Sequence, residues 1–377
     1  MKIILAAPIF FPDVGGPATH VQKIAEFLTQ KGYTVSVISY GEDPGEKQFP
    51  FSVTRISRSQ PRFIRWFRYT GAVLRATFGA DLVYAFDLTA AGLPAALATR
   101  LFRKPFFIRI GGDPIWERVV EHHKRFIPLT AYYEQKLYEI DAPYLYRMIV
   151  WVVRQAESVI TYNQSFQDFY CCYFGTNRSR MHIIKNPVFF REKRSNVELT
   201  DVPTILFAGR FVAYKNLKLV IRAIGEIRKV RPVKLLLVGA GPDEALLRKL
   251  VEDTALHSSV EFRPSLPQLE LFKLLSTVAI SIGPAISEFN PNSILESLSF
   301  GTPVLLAQDN GLSVQLPPEQ LFDPMNQNDF EVKIISLLSK EGYARALEAV
   351  SKLDLNQSWD TVLNSHLKLI QNRLSQL

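Results

Sequence analysis

Residues 2–40, KIILAAPIFFPDVGGPATHVQKIAEFLTQKGYTVSVISY, decide the fold class. Lys2–Ala7 is an apolar run of the kind a strand buried on both faces needs. A loop holding Pro8, Pro12, Gly15 and Gly16 follows. Val21, Ile24, Ala25 and Leu28 then recur at helical spacing up to Lys31-Gly32, and residues 33–39 form a second strand. Strand, glycine loop, helix and strand in that order begin a parallel sheet whose crossover helices cover it.

Outward from this unit the pattern continues. Residues 81–86 predict a strand, 90–102 a helix closed by Arg103-Lys104-Pro105, and 106–110 a strand leading into Gly111-Gly112-Asp113. Strands are expected at 158–162 and 182–184. Residues 192–201 are polar and aperiodic, which suits a linker. The pattern restarts with a strand at Thr204–Ala208, a helix at 217–229, a strand at Lys234–Val238, the turn Gly239-Ala240-Gly241-Pro242 and a helix at 244–252. Strands at Val260–Arg263, 278–282 and Val304–Ala307 complete it. The expectation is an α/β protein of two Rossmann-like domains facing across a cleft, residues 1–191 and 192–359, with a C-terminal helix at 360–377.

Bulk properties agree with two domains. The chain has 377 residues, 47% hydrophobic and 21% charged, which excludes a disordered or single small module. No run approaches the ~18 apolar residues of a membrane-spanning helix. The apolar start lacks a small-residue cleavage site, so it reads as a strand and not a signal peptide. The only cysteines, Cys171 and Cys172, are adjacent, which excludes a disulfide framework and a four-ligand zinc site; a reducing cytoplasmic compartment and a helix-buried pair are expected. The net charge of +8 is uneven: 24 Lys and Arg face 15 Asp and Glu in residues 1–191, against 20 and 21 in residues 192–377. Arg62, Arg65 and Arg68 alternate with Phe63, Ile64, Trp66 and Phe67. An ordinary amphipathic helix with its aromatics on the core is preferred to an interfacial helix on an anionic membrane. No nucleic-acid motif accompanies the charge.

Three segments carry candidate chemistry. Gly15-Gly16 lets an anion approach backbone N–H groups at a helix start, or is a plain turn; without Gly-x-Gly-x-x-Gly, NAD chemistry is not expected. Gly209-Arg210-Phe211-Val212-Ala213-Tyr214-Lys215 puts two cations at the carboxyl end of a strand, where a diphosphate or only water meets them. Glu288 lies in a loop after a strand, and Glu296 in the first turn of a helix begun near Asn292 or Ser293. Paired carboxylates suit a ligand rich in hydroxyls. Ser293-x-x-Glu296 also reads as a capping box, which would turn Glu296 to the backbone.

The Glu-x7-Glu element from Glu288 to Glu296, with Gly301-Thr302-Pro303-Val304 after it, resembles the signature of the retaining GT-B glycosyltransferases of family 4. Gly-Gly at 15–16, Gly-Arg-x4-Lys at 209–215 and Val-Gly-x-Gly-Pro at 238–242 stand in that family's order. The resemblance implies transfer of a sugar from a nucleotide diphosphate sugar, UDP- or GDP-linked, to an acceptor hydroxyl, in polysaccharide, glycolipid or lipid-linked glycan synthesis; it is the basic, aromatic N-terminal half that points to a lipid-linked or polysaccharide acceptor at the cytoplasmic membrane surface. It makes Arg210, Lys215 and Glu288 catalytic, the cations on the diphosphate and Glu288 on the sugar. Donor binding falls to Gly15, Gly16, Gly209, Gly239, Gly241, Arg263, Asn292, Ser293, Ile294, Leu295 and Glu296, with Glu296 on the ribose. No cofactor or metal is implied, and no Asp-x-Asp occurs. The C-terminal helix would return to the first domain.

Where relatives carry a His-Gly-Asp-like element, this chain has Ile110-Gly111-Gly112-Asp113, so no catalytic histidine is assigned. Asp113 is a candidate acceptor or sugar contact or an N-cap, and His20 a second contact candidate or a packing residue. His122-His123 lacks metal spacing. The alternatives are a nucleotide-sugar epimerase of the same architecture and a silent sugar-nucleotide scaffold.

Overall fold

The computed structural model describes residues 1–13, 15–43, 45, 48–188, 199–355 and 357–375. Two compact units divide the chain: Met1–Ile115, Lys136–Pro187 and Trp359–Leu377 form the first, Trp116–Gln135 and Val188–Ser358 the second. The expected linker lies outside the described residues as far as residue 198.

Each unit is built on one parallel sheet. The first contains β1 (Lys2–Ala7), β2 (Thr34–Tyr40), β3 (Ser52–Ile56), β4 (Leu82–Ala85), β5 (Phe106–Arg109), β6 (Ser158–Thr161) and β7 (Met181–Ile183), in the order β3-β2-β1-β4-β5-β6-β7. Ile3 to Ala7 are all buried, as a central parallel strand requires. The helix Gly16–Gln30 covers β1 with Val21, Ile24, Ala25 and Leu28, and Val362, Leu363, Leu367 and Ile370 of the C-terminal helix Trp359–Leu374 join the same core.

The second contains β8 (Thr204–Ala208), β9 (Lys234–Val238), β10 (Val260–Arg263), β11 (Ile280–Gly283), β12 (Val304–Ala307) and β13 (Leu321–Phe322), ordered β10-β9-β8-β11-β12-β13. Val220, Ile221, Ile224 and Ile227 of the helix Leu217–Val230 bury against β8, β9 and β11.

Three expectations are corrected. Residues 116–135, assigned above to the first domain, group with the second unit because Trp116 is fully buried there, its ring 5.4 Å from Tyr214 and 6.1 Å from Phe289. Of the aromatics of the helix Arg62–Phe78 only part face the core: Tyr69 does, with Thr70, Val73 and Thr77, while Phe63 and Phe67 are 66% and 62% exposed. Tyr69 fixes this rotation by donating its hydroxyl to the carbonyls of Ala7 and Ile38 at 3.2 and 3.1 Å. Cys171 and Cys172 do lie on a helix, Gln164–Phe174, but Cys172 is exposed and Cys171 half-buried.

Candidate functional site

In the second unit β8 connects to β9 on one side while β11 lies on its other side. The loops leaving β8 and β11 therefore part at a topological switch point, where open α/β sheets take ligands. The loop after β8 ends in a single turn of 3-10 helix, Ala213–Lys215, closed by Asn216 in the left-handed region with φ 56°. Asn216 Nδ2 donates to the Pro324 carbonyl beyond β13 (Leu321–Phe322) at 2.8 Å, and Ile286 N–H donates to the Tyr214 carbonyl at 2.9 Å, which ties the loops leaving β8 and β11 together.

This tie brings Lys215 and Glu288 into an ion pair, both side chains mostly buried. They line a recess of about 20 Å³, room for one water, together with Ser293, Ile294 and Asn310. Glu288 is held by its own N–H, which donates to the Asp309 carbonyl at 2.9 Å. Burial raises the Asp309 carboxyl above its ordinary range, and the neighbouring Glu288 adds to this. Tyr214 is likewise held un-ionised by burial and by Glu117, Glu288 and Glu121.

Glu296 sits on the helix Asn292–Ser299, whose start at Asn292 puts it in the second turn and not the first. Pro291 precedes the helix, where a missing N–H is harmless, and no side chain caps it. The capping box is therefore not formed. Ser297 Oγ donates to the Ser293 carbonyl instead, and Glu296 Oε1 accepts from Gln268 Nε2 at 2.9 Å. Burial raises the Glu296 carboxyl above its ordinary value.

The glycines of the β9 loop have a packing role. Gly239 has φ +149°, and a Cβ there would lie 1.9 Å from the Gly209 carbonyl oxygen; one at Gly241 would lie 2.2 Å from that of Phe211. Their absent side chains let Phe211 N–H donate to Ala240 O at 2.9 Å and Asp243 N–H to Phe211 O at 3.1 Å, which fixes the loop carrying Arg210. Arg210 is exposed, its Nη1 3.4 Å from Glu121 Oε1, and Arg263 pairs along its own strand with Glu261 at 2.6 Å. The structure thus gathers Lys215, Glu288, Ser293 and Ile294 in one recess, with Glu296 on the adjoining helix; Arg210 and Arg263 have partners outside it.

In the first unit Gly15 takes φ +154° at the cap of the helix Gly16–Gln30, which has no side-chain cap. His20 is buried against Trp359, ring centroids 4.9 Å apart, with Nδ1 3.2 Å from the Gly16 carbonyl. Burial, then the Arg109 charge, pulls its pKa down to about 3, so it is neutral. Asp113 is fully buried, and its Oδ1 accepts from Ile115 N–H at 3.1 Å, the N-cap arrangement for the helix Pro114–Glu121.

Sequence reasoning missed Arg109. It is 4% exposed, yet among the described residues no carboxylate pairs with it. Its guanidinium donates to Asn186 Oδ1 at 2.7 Å, lies 4.8 Å from the centre of the Tyr162 ring and approaches His366 Nε2 at 3.1 Å. Arg109 can only donate, so His366 keeps its proton on Nδ1, 3.1 Å from Tyr84 Oη, and stays neutral. The available signal was one charge closing an otherwise apolar strand, Phe106-Phe107-Ile108-Arg109.

A family model described as Glycosyltransferase Family 4 matches residues 14–189, and one described as Glycosyl transferases group 1 matches residues 188–353. An uncharacterised glycosyltransferase of Methanocaldococcus jannaschii is 24% identical over 96% of each chain. A phosphatidylinositol N-acetylglucosaminyltransferase subunit of Arabidopsis thaliana is 20% identical, over 98% of this chain and 83% of that one. Among solved structures, sucrose-phosphate synthase from Thermosynechococcus elongatus superposes with a TM-score of 0.76 at 18% identity, and Anabaena HepE in complex with UDP and glucose with 0.74 at 16%, each over 100% of both chains; these likenesses establish the GT-B fold. With one family model on each unit and that fold throughout, the chain belongs to the group 1 glycosyltransferases of family 4 and is a glycosyltransferase.

Proposed function

We propose that the protein transfers a sugar, with retention at the anomeric carbon, from a UDP- or GDP-linked donor to an acceptor hydroxyl in glycan synthesis. The observation that carries this reading is the Lys215–Glu288 pair in a recess at the switch point, beside a Glu296 that no cap engages. In the reaction the bond from anomeric carbon to diphosphate oxygen breaks, a bond to the acceptor oxygen forms, and the acceptor proton leaves. Lys215 exchanges Glu288 for a phosphate oxygen, and Arg210 reaches the same diphosphate from its exposed loop; together they stabilise charge on the leaving group. Glu288, released, accepts from sugar hydroxyls. Glu296 accepts from the ribose, and the N–H groups of residues 293–295 assist. Asp113 orders the glycine turn before its helix, and His20 steadies Gly16. The transfer uses no resident metal.

HepE, solved with UDP and glucose, supports a nucleotide sugar as the donor. The exposed Phe63 and Phe67 beside Arg62, Arg65 and Arg68 support a lipid-linked or polysaccharide acceptor met at an anionic cytoplasmic membrane surface. No helix among the described residues is long and apolar enough to cross a membrane, so contact of this kind is peripheral.

Thermal melts with UDP, GDP, ADP, TDP and CMP test the donor site. At about 100 times its dissociation constant one nucleotide should stabilise the fold by ~2.7 kcal/mol, a clear rise in Tm. Arg210→Ala and Glu296→Ala should abolish the rise without lowering the ligand-free Tm. A folded wild type that answers to none of the five, or variants that answer unchanged, would remove the assignment.

A further inference from the structure

Residues 116–135 help to line a second hollow of the same unit, a cavity of about 610 Å³, far larger than the Lys215 recess and within the range of small-molecule sites. Lys124 of that segment and Lys218 and Arg222 of the helix Leu217–Val230 line it. Among the described residues none of the three has a carboxylate at ion-pair distance. The one acidic residue in the lining, Asp243, is engaged by His123 Nε2 at 3.2 Å. Lys218 also stands in the first turn of its helix, which holds no acidic residue, and a cation at that end opposes the helix dipole. Lys124 and Arg222 are exposed and Lys218 half-buried on the same hollow, so an anion entering it meets three cations that no carboxylate among the described residues holds. Phe126 and Met325, about half exposed, add apolar surface of the sort on which a sugar ring lies.

We propose that this cavity is a binding site for a small phosphorylated carbohydrate, separate from the donor recess and coupled to it. The phosphate group meets Lys218, Arg222 and Lys124, and the ring meets Phe126 and Met325. The coupling runs through one turn: Ala213 and Asn216 line the cavity, and Lys215 between them lines the recess. A ligand against this turn biases where Lys215 points, so the site is regulatory. The coupling rests on the donor reading given above, whereas the site itself does not.

Isothermal titration calorimetry of the full chain at low salt, with glucose 6-phosphate, inorganic phosphate and glucose as probes, tests both parts. Glucose 6-phosphate should bind, phosphate more weakly and glucose not at all. K218E/R222E should weaken glucose 6-phosphate by roughly tenfold or more while leaving UDP binding unchanged. Lys124→Glu, in a loop, should weaken it in the same direction and stands in if the double variant does not fold. Saturating glucose 6-phosphate should shift the UDP dissociation constant by about fivefold, and UDP should shift that of glucose 6-phosphate by the same factor. No binding of either anion, equal binding to all variants, or simple displacement by UDP would overturn the site. Independent binding of the two ligands would overturn the coupling. If UDP fails to bind while glucose 6-phosphate binds and responds to the variants, the donor reading falls and the site stands.

Discussion

Gly239 shows how much of a ligand loop rests on an atom that is absent. Its positive φ favours glycine, and a Cβ would press on the Gly209 carbonyl, a backbone atom with no rotamer to yield. Gly239→Ala should therefore destabilise the protein by ~2 kcal/mol or more and displace Arg210, read as a lower urea midpoint together with a lost nucleotide-induced rise in Tm. An unchanged midpoint would mean that the loop relaxes freely. At this scale the sequence was informative where chemistry and spacing coincide. Lys215, Glu288 and Ser293 could be named because strand ends and family motif point to the same loops. The state of Glu296 could not, because Ser293-x-x-Glu296 describes a capping box equally well until the helix is seen to begin at Asn292, with Pro291 and not Ser293 at its N-cap. Arg109 escaped because a cation at a strand end is ordinary until its burial is known.

Among elements, the C-terminal helix Trp359–Leu374 carries a charge-sensitive seam. His366 and His20, neutral and buried, both feel Arg109, and among the described residues neither has a carboxylate at ion-pair distance to welcome a proton. Burial, then Arg109, depresses His366 well below 6.5, and His20 falls to about 3. The unfolded chain therefore binds protons first as pH drops. Stability is complete above about 6.5 and declines below it, by about 1 kcal/mol per pH unit for each histidine until the folded value is reached. Urea unfolding at pH 7.5, 6.5 and 5.5 should record the fall, and His366→Gln should flatten the slope; an unaltered slope would place the histidines outside the linkage. Strands were legible where both faces are buried, as in β1, β8 and β9, since such strands are short apolar runs. β3 was not, because its residues Ser52 to Arg55 are partly exposed on an edge, and β13 has only two residues. The rotation of the helix Arg62–Phe78 was equally hidden. Its wheel carries two stripes, and only Tyr69 reaching β1 and β2 selects the one to bury.

For the molecule as a whole, the surplus of cations in residues 1–191 and the outward Phe63 and Phe67 belong together. Vesicles containing phosphatidylglycerol should carry the protein upward in a density gradient at low salt, and neutral vesicles should not. Replacing Arg62, Arg65 and Arg68 by glutamate should weaken this at least roughly a hundredfold, since each cation near such a surface contributes about 1 kcal/mol. Retention of the variant on the vesicles, or wild-type protein left in the soluble fraction, would exclude membrane contact by this helix. Strand order and the placement of residues 116–135 were beyond reading, because both depend on pairings far apart in sequence, such as Trp116 with Tyr214.

The interleaving of the two units has a consequence for synthesis. The ribosome delivers β1, the glycine loop and Arg109 early, yet the helix that supplies Trp359 and His366 to their surroundings emerges only after the whole second sheet has been made. Residues 116–135 wait in the same way for the loops they pack on, those of Tyr214 and Phe289. Neither unit is one uninterrupted run of the gene, so neither can be excised by a single cut. A nascent chain stalled near residue 187 would hold Trp116 uncovered, together with the part of the first core that Val362, Leu363, Leu367 and Ile370 close, which makes the late part of translation the period when this enzyme most needs protection from aggregation.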